Sequence, residues 1–229
     1  MKLVIIDYDA SNLHSVRKAL VALGHRPVIS NDPDEVAAAD ALVLPGVGAA
    51  GDAMRHLGEL ELVRVLRRFA EDGKPFFGVC VGMQLMFESS EEDGGIECLG
   101  LLEGRVRRLP PERKVPHMGW NSVRLRYRHP AFAETPNESY FYFVHSYYPE
   151  PAEPEVVLGE TEHGLTFASV VARDNLLGVQ FHPEKSGRPG LRLYDNFVRL
   201  AGASRDRLLP SSVPSRLTAG CRRSSLSEA

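Results

Sequence analysis

The chain has 229 residues, with 27 Lys and Arg against 30 Asp and Glu and a formal net charge of −3. That length suits one large domain rather than two, and so even a charge balance gives no general attraction to nucleic acid or to an anionic membrane. No run approaches the roughly 18 apolar residues of a membrane span, and the apolar opening of residues 1–6 is closed by Asp7, too early for a signal-peptide core. The expectation is a cytoplasmic globular protein.

Residues 3–7 begin as a continuous apolar run, as for a strand covered on both faces. A helix is predicted from about residue 12, with Leu13, Val16, Leu20 and Leu23 at helical spacing and Gly24 as its stop. Short strands follow at 27–30 and 41–44, the second ending in Pro45-Gly46-Val47-Gly48. A helical stretch over 52–71 places Leu62, Val65, Leu66 and Phe69 on one face, and Gly73-Lys74-Pro75 resets the chain into a fourth strand at 76–79. This alternation predicts a parallel sheet with helices on both faces. After Gly104 the pattern changes to short β-rich segments, at 105–109, 140–145, 166–172 and 177–181, that extend or flank the sheet. A last helix over 190–200 turns Leu191, Tyr194, Phe197 and Val198 inward. The domain is drawn over 1–202. From residue 203 the composition shifts to Ser, Arg and Pro, with five arginines against Asp206 and Glu228. Without apolar periodicity, 203–229 is expected to be a disordered tail.

Two segments about a hundred residues apart carry the chemistry. Phe76-Phe77-Gly78-Val79-Cys80-Val81-Gly82-Met83-Gln84 reads as a buried strand entering a glycine-flanked turn with Cys80 at its apex. Such a turn holds a thiol above the sheet only where neighbouring residues are almost without side chain, as Gly78 and Gly82 are. A helix starting there favours thiolate, and the Val81 N–H can point at a developing oxyanion. A small buried cysteine at the end of a core strand fits the same residues. Of the other cysteines, Cys98 reads as inert packing and Cys221 as incidental; the odd count and wide spacing disfavour a disulfide framework or a zinc ribbon.

The second segment, Gly178-Val179-Gln180-Phe181-His182-Pro183-Glu184, ends a buried strand with a histidine and a carboxylate two residues apart. Positions i and i+2 of an extended chain project to one side, and Pro183 biases His182 to extended angles. Glu184 can then lie beside the imidazole, set its tautomer and stabilise the imidazolium. Nucleophile, base and orienting carboxylate are the parts of a thiol acyl-transfer site. Gly46-Val47-Gly48 follows a further strand, leaves room for substrate against the backbone, and allows a Val47 N–H to join that of Val81; the glycines also suit a turn that needs them for geometry alone.

Pro-Gly-x-Gly, Gly-x-Cys-x-Gly-x-Gln and His-Pro-Glu, in this order, closely resemble the class I (triad) glutamine amidotransferases. Within that family, 115–121 (Val-Pro-His-Met-Gly-Trp-Asn), 143–147 (Phe-Val-His-Ser-Tyr), 182–186 (His-Pro-Glu-Lys-Ser) and the opening Asp7-Tyr8-Asp9-Ala10-Ser11-Asn12-Leu13 resemble the glutaminase subunits of imidazole glycerol phosphate synthases. The resemblance covers about 1–202. It departs at Ser11, where glycine is usual, and at the two valines flanking Cys80. It implies an α/β, flavodoxin-like open, mostly parallel sheet with helices on both faces and added β-rich segments in the second half. It implies that Cys80 forms a glutamyl thioester, that His182 moves protons and that Glu184 orients it. Val47 and Val81 would supply the oxyanion hole, and Gly46, Gly48, Gln84, Ser146 and Tyr147 would hold glutamine. Asn12, Met118, Trp120, Asn121 and Lys185 would face a separate (β/α)₈ cyclase subunit in a heterodimer, with neither metal nor organic cofactor, nucleic acid or membrane involved.

Other readings stay open at this point: a glutaminase for an anthranilate or nucleotide synthase, a stand-alone thiol hydrolase, or a non-catalytic module whose cysteine is structural. The eight histidines show no His-x-x-x-His pairing and the cysteines no Cys-x-x-Cys. Residues 46–51 lack the lysine and Ser/Thr of a P-loop. Arg105, Arg107, Arg108, Arg113 and Lys114 form a basic run that reads as a solvated strand and loop, or as a surface for an acidic partner.

Overall fold

A computed structural model of the chain describes residues 1–9, 12–112 and 114–208. In chain order the elements are β1 (Leu3–Ile6), α1 (Leu13–Ala22), β2 (Val28–Ser30), α2 (Pro33–Ala37), β3 (Ala41–Gly46), α3 (Ala50–Glu59), α4 (Leu62–Glu71), β4 (Phe76–Cys80), α5 (Val81–Gln84), β5 (Ser89–Ser90), β6 (Ile96–Glu97), β7 (Gly104–Arg108), β8 (His117–Leu125), β9 (Ser139–His145), β10 (Tyr147–Pro151), β11 (Val157–Glu162), β12 (Thr166–Arg173), β13 (Leu176–Val179) and α6 (Gly187–Leu208). One large sheet runs β2-β1-β3-β4-β13-β12-β11-β8-β9, and a small one β10-β7-β5-β6.

The large sheet has two characters. From β2 to β13 every pairing is parallel; from β13 to β9 every pairing is antiparallel. In β1, β3 and β4 all residues are buried, because helices cover both faces, and this is why they read as unbroken apolar runs. β8 and β9 alternate instead. His117, Val123, Phe141, Phe143 and His145 are buried, while Met118, Trp120, Arg124 and Tyr140 are exposed. The α/β class and the strand-rich second half are as the sequence predicts.

Several boundaries differ for local reasons. The helix expected over 52–71 is two, α3 and α4, because Glu61 sits in the left-handed region at φ 57° and a right-handed helix cannot pass through it. α2 has its signal in Asp32, whose side chain accepts from the Glu35 N–H at 2.8 Å, ahead of a proline at the first helical position. β8 goes unseen in the sequence because Gly119 and the polar Asn121 and Ser122 break its alternation. α6 runs to Leu208, past the boundary drawn at 202. The rest of the predicted tail, with Cys221, lies outside the described residues, as do Ser11 and Arg113.

Phe77 of β4 meets Tyr194 and Phe197 of α6 with ring centroids 5.7 and 5.0 Å away. This packing fixes α6 under the sheet and brings Tyr194 to the edge where the loops gather. Among the described residues, no helix is long and apolar enough to cross a membrane.

Candidate active site

Strand register gathers the site. Gly46 of β3 pairs with Cys80 of β4, and Val79 of β4 with Val179 of β13. Three parallel strands therefore end level, and the segments after them (47–48, 81–84 and 180–184) leave at the carboxyl edge, where open α/β sheets bind ligands.

Cys80 has φ 55° and ψ −113°, a conformation that a non-glycine residue holds only where its surroundings enforce it. Close packing does so here. A Cβ on Gly82 would sit 1.8 Å from the Leu44 carbonyl oxygen, and one on Gly46 would sit 2.6 Å from the Gly82 nitrogen. The buried Tyr8 hydroxyl donates to the Pro45 carbonyl at 2.8 Å, bracing β3 behind the turn; burial, with the Cys80 charge, raises its pKa. The helix expected beside the sulfur is only the single turn α5. It brings the unbonded N–H groups of a helix start, Val81's among them, but little summed dipole.

His182 and Glu184 are adjacent, though not by the extended geometry expected. His182 is extended at φ −100° and ψ 99°, and Pro183–Lys185 then forms one 3-10 turn that folds Glu184 back. Glu184 Oε1 lies 2.8 Å from His182 Nδ1 and accepts from Asn12 Nδ2 at 2.5 Å; Oε2 accepts from the Tyr194 hydroxyl at 3.2 Å. Both side chains are 1% exposed. Burial alone would lower the His182 pKa, but the Cys80 sulfur and Glu184 outweigh it and raise it above its ordinary value. Burial pushes Glu184 up, and the hydrogen bond and charge of His182 bring it below the ordinary carboxylate range. The buried His182 Nε2 makes no hydrogen bond of good geometry, yet it is close enough for the sulfur's charge to act on it.

A cleft of about 300 Å³ opens over these groups, lined by Val47, Gly48, Cys80, Val81, Gln84, Ser146, Tyr147 and His182 from the sequence reading, together with Glu92, Pro116, Val144 and His145. Gly46 is absent from this lining and serves as packing beneath the turn. Gln84 is nearly buried and bonded within the protein, through Nε2, to the Tyr147 carbonyl at 2.9 Å and to Gln180 Oε1 at 3.1 Å. Glu92 accepts from the Ala50 N–H at 2.6 Å, and burial raises its pKa. A larger cleft of about 840 Å³, lined by residues between 125 and 137, shares no residue with this one.

Sequence reasoning gave no role to His117, His145 or Gln180. His145 Nδ1 lies 2.8 Å from the Tyr147 carbonyl, which can only accept, so Nδ1 carries the proton. Its Nε2 then accepts from His117 Nδ1 at 2.9 Å, and His117 Nε2 accepts from Asn121 Nδ2 at 3.2 Å. Burial, with neighbouring histidines, lowers His117 to about 4 and His145 to about 3, so both are neutral at pH 7. His117 opens β8, His145 closes β9 and Gln180 follows β13, so a polar residue at a strand end was the available signal for each. Among the described residues, no group of three or more His, Cys, Asp or Glu is set to hold a metal ion.

The residues expected at a partner surface divide. Met118 and Trp120 are 61% and 56% exposed and Tyr140 61%; Trp120 meets Tyr142 edge-on at 6.2 Å, and Lys185 Nζ lies 5.9 Å over the Tyr142 ring. These residues share one face. Asn121 is on the other side of β8, held by His117 and, at 2.8 Å, by the Glu162 carbonyl. Asn12 holds Glu184. In the basic run, Arg105 and Arg107 are paired with Glu150, and Arg107 also with Glu91, which favours the solvated-strand reading. Burial and Glu92 push the Cys98 thiol up to about 12, in keeping with an inert residue.

Residues 4–200 match the family Glutamine amidotransferase class-I. The chain belongs to the class-I glutamine amidotransferases. Imidazole glycerol phosphate synthase subunit HisH of Moorella thermoacetica is 52% identical to this amidotransferase over 203 residues, covering 87% of this chain and 97% of that protein. The proteins of the same name from Aquifex aeolicus and Methanocaldococcus jannaschii are 48% and 47% identical, over 88% and 86% of this chain and 98% of each of theirs. The amidotransferase thus belongs among the HisH glutaminases. Among solved structures, a putative GMP synthase component from Thermoplasma acidophilum overlays with a TM-score of 0.69 at 20% identity, covering 90% of this chain and 96% of that one. A glutamine amidotransferase overlays at 0.70 and 22% identity, over 87% and 98%. These two share the fold.

Proposed function

We propose that the chain is the glutaminase subunit of an imidazole glycerol phosphate synthase. It hydrolyses glutamine to glutamate and ammonia and passes the ammonia to a (β/α)₈ cyclase subunit in histidine biosynthesis. The observation that carries the chemistry is His182, buried between Glu184 at 2.8 Å and Cys80 on the strained turn, with a cleft of about 300 Å³ above them.

The Cys80 thiolate attacks the carboxamide carbon of glutamine. The Val81 and Val47 N–H groups receive the oxyanion, each such donor being worth about 10²–10³ in rate. His182 hands its Nε2 proton to the departing nitrogen, then takes one from the water that releases glutamate. Glu184 holds Nδ1–H throughout, so Nε2 is the nitrogen that shuttles. Gly48, Ser146 and Tyr147 shape the cleft, Gln84 holds its wall, and Glu92 faces the ammonium group of the substrate. The scheme uses neither metal nor organic cofactor.

Free ammonia in neutral water is mostly protonated and no longer nucleophilic, so it must cross a dry interface. The face of Met118, Trp120, Tyr142 and Lys185 supplies aromatic anchors for the cyclase. There ammonia enters a phosphorylated ribulosyl nucleotide, giving imidazole glycerol phosphate and an aminoimidazole carboxamide ribotide. The relatives named imidazole glycerol phosphate synthase subunit HisH support this partner.

The test is glutamate release by the purified chain, alone and with a cyclase subunit carrying its nucleotide ligand. Strong stimulation that Cys80→Ala abolishes is expected. Activity indifferent to the cyclase would overturn the partner and leave a thiol glutaminase serving another enzyme.

A further inference from the structure

We propose that Gln180 is a further catalytic residue, whose side-chain amide donates an N–H to the Cys80 sulfur in a direction dictated by the Tyr147 carbonyl. The proposal rests on the reading of Cys80 as the nucleophile.

Gln180 follows β13 between Val179 and Phe181, and all three are 0% exposed. A buried primary amide is costly unless both its ends are bonded. Its two ends differ, one accepting and one donating, so what each faces decides what the residue can do. The Tyr147 carbonyl can only accept, and Gln84 Nε2 lies 2.9 Å from it. Gln84 therefore presents its NH₂ on this side. The second N–H of that group points at the Gln180 side chain, 3.1 Å away, so Gln180 must present its oxygen to Gln84. Its own NH₂ is left facing Cys80, with Nε2 3.7 Å from Sγ. The opposite orientation would set N–H against N–H at Gln84 and a carbonyl oxygen against a sulfur that must carry negative charge. His145 tightens the logic, because its Nδ1–H reaches the same Tyr147 carbonyl at 2.8 Å and leaves that oxygen with two donors.

Such a donor fits the needs of the reaction. With α5 a single turn, the sulfur receives little from a helix dipole, and a neutral N–H aimed at it stabilises thiolate without competing for the proton that His182 moves. In the first half-reaction the S–C bond forms, the C–N bond breaks, and nitrogen leaves with the His182 proton. In the second a water oxygen bonds to the carbon, the S–C bond breaks, and the electron pair returns to sulfur, where the Gln180 N–H meets it again. No proton leaves Gln180 at any step.

The experiment follows Cys80 alkylation by iodoacetamide against pH, read on the Cys80 peptide by mass spectrometry, with glutamate release measured in the complex with the cyclase subunit. Gln180→Met removes the donor and adds no charge. Gln180→Glu keeps an acceptor for Gln84 and turns a carboxylate toward the sulfur. Both variants should move the alkylation profile to higher pH, Glu further than Met, and Gln180→Met should lower kcat roughly tenfold to a hundredfold, the usual worth of a hydrogen bond to a charged group. If Gln180→Met does not fold, Gln180→Leu, which likewise lacks a donor and adds no charge, takes its place, because the carboxylate of Gln180→Glu would shift the profile by repulsion alone. An unchanged alkylation profile in a folded variant would overturn the proposal. If Cys80→Ala is inactive in the same series, the nucleophile reading survives that failure; if Cys80→Ala stays active, the nucleophile reading itself has failed.

Discussion

The parallel and antiparallel halves of the large sheet do different work. From β2 to β13, register and backbone place everything. Gly46 beside Cys80 and Val179 beside Val79 bring three strand ends level, and glycines let the turn after β4 close onto Leu44. The backbone of the turn at Cys80 is thereby fixed by chain geometry with almost no freedom. From β12 to β9, side chains do the placing. One face of β8 and β9 presents Met118, Trp120 and Tyr140 outward, and the other buries a hydrogen-bonded row from Asn121 through His117 and His145 to the Tyr147 carbonyl. The first half should resist any change that touches the backbone; the second should tolerate changes and express them in binding or in pH dependence.

The largest effect should come from Glu184→Gln. The amide cannot hold His182 in its working tautomer as a charged partner does, and kcat should fall by roughly 10²–10⁴-fold with KM little changed. Steady-state glutamate release checks it, and a loss under fivefold would mean that Asn12 and Tyr194 orient the site without a carboxylate charge.

Gly82→Ala asks how rigid the parallel half is. Its Cβ would meet backbone 1.8 Å away, and backbone cannot swing aside as a side chain does, so a loss of about 3 kcal/mol or more is expected from overpacking. A urea melt reads this directly. An unchanged midpoint would show that the turn after Cys80 can open, and the contrast between the halves would collapse.

Trp120→Ala probes the other half. At 56% exposed, its loss should leave the isolated chain's stability within about 1 kcal/mol while weakening cyclase binding by about 2 kcal/mol, or roughly thirtyfold in Kd. Titration calorimetry and a thermal melt separate the two. A large fall in Tm with unchanged affinity would make the tryptophan a packing residue.

The smallest effect is in pH. His145, lowered to about 3, and His117, lowered to about 4, stay neutral in the fold, whereas unfolded histidines titrate near 6.5. Below about pH 6.5 the unfolded chain takes up protons that the folded one refuses, so stability falls as pH drops through the window from about 6.5 toward the folded values. His145 alone should contribute a loss of about 1 kcal/mol by pH 5.5. A His117→Asn, His145→Asn double variant should flatten the slope of Tm against pH in that window. An equally steep slope in the variant would assign it to other groups.

How much of this could be read beforehand follows from which interactions are local. Cys80 between Gly78 and Gly82, and His182 two residues from Glu184, are legible because the chemistry imposes residue types at fixed spacing. Even so, the contact between histidine and glutamate arises from a 3-10 turn after an extended residue, which spacing alone does not distinguish from a straight strand. Glu61 carries no side-chain signal that it breaks a helix; its left-handed angle falls at the junction where α3 ends and α4 begins with its buried Leu62, Leu66 and Phe69.

The buried parallel strands, the glycine-flanked turn at Cys80 and the His182–Glu184 pair are written in short segments, because continuous apolar runs and glycine positions are local properties. That Gly46 packs beneath the turn while Glu92 and His145 enter the cleft, that Asn121 turns away from the face of Trp120, and that Gln180 reaches Cys80 all follow from the folded arrangement. Those outcomes depend on pairings between residues tens of positions apart and on the direction each hydrogen bond must take, which come into being only when the strands are side by side.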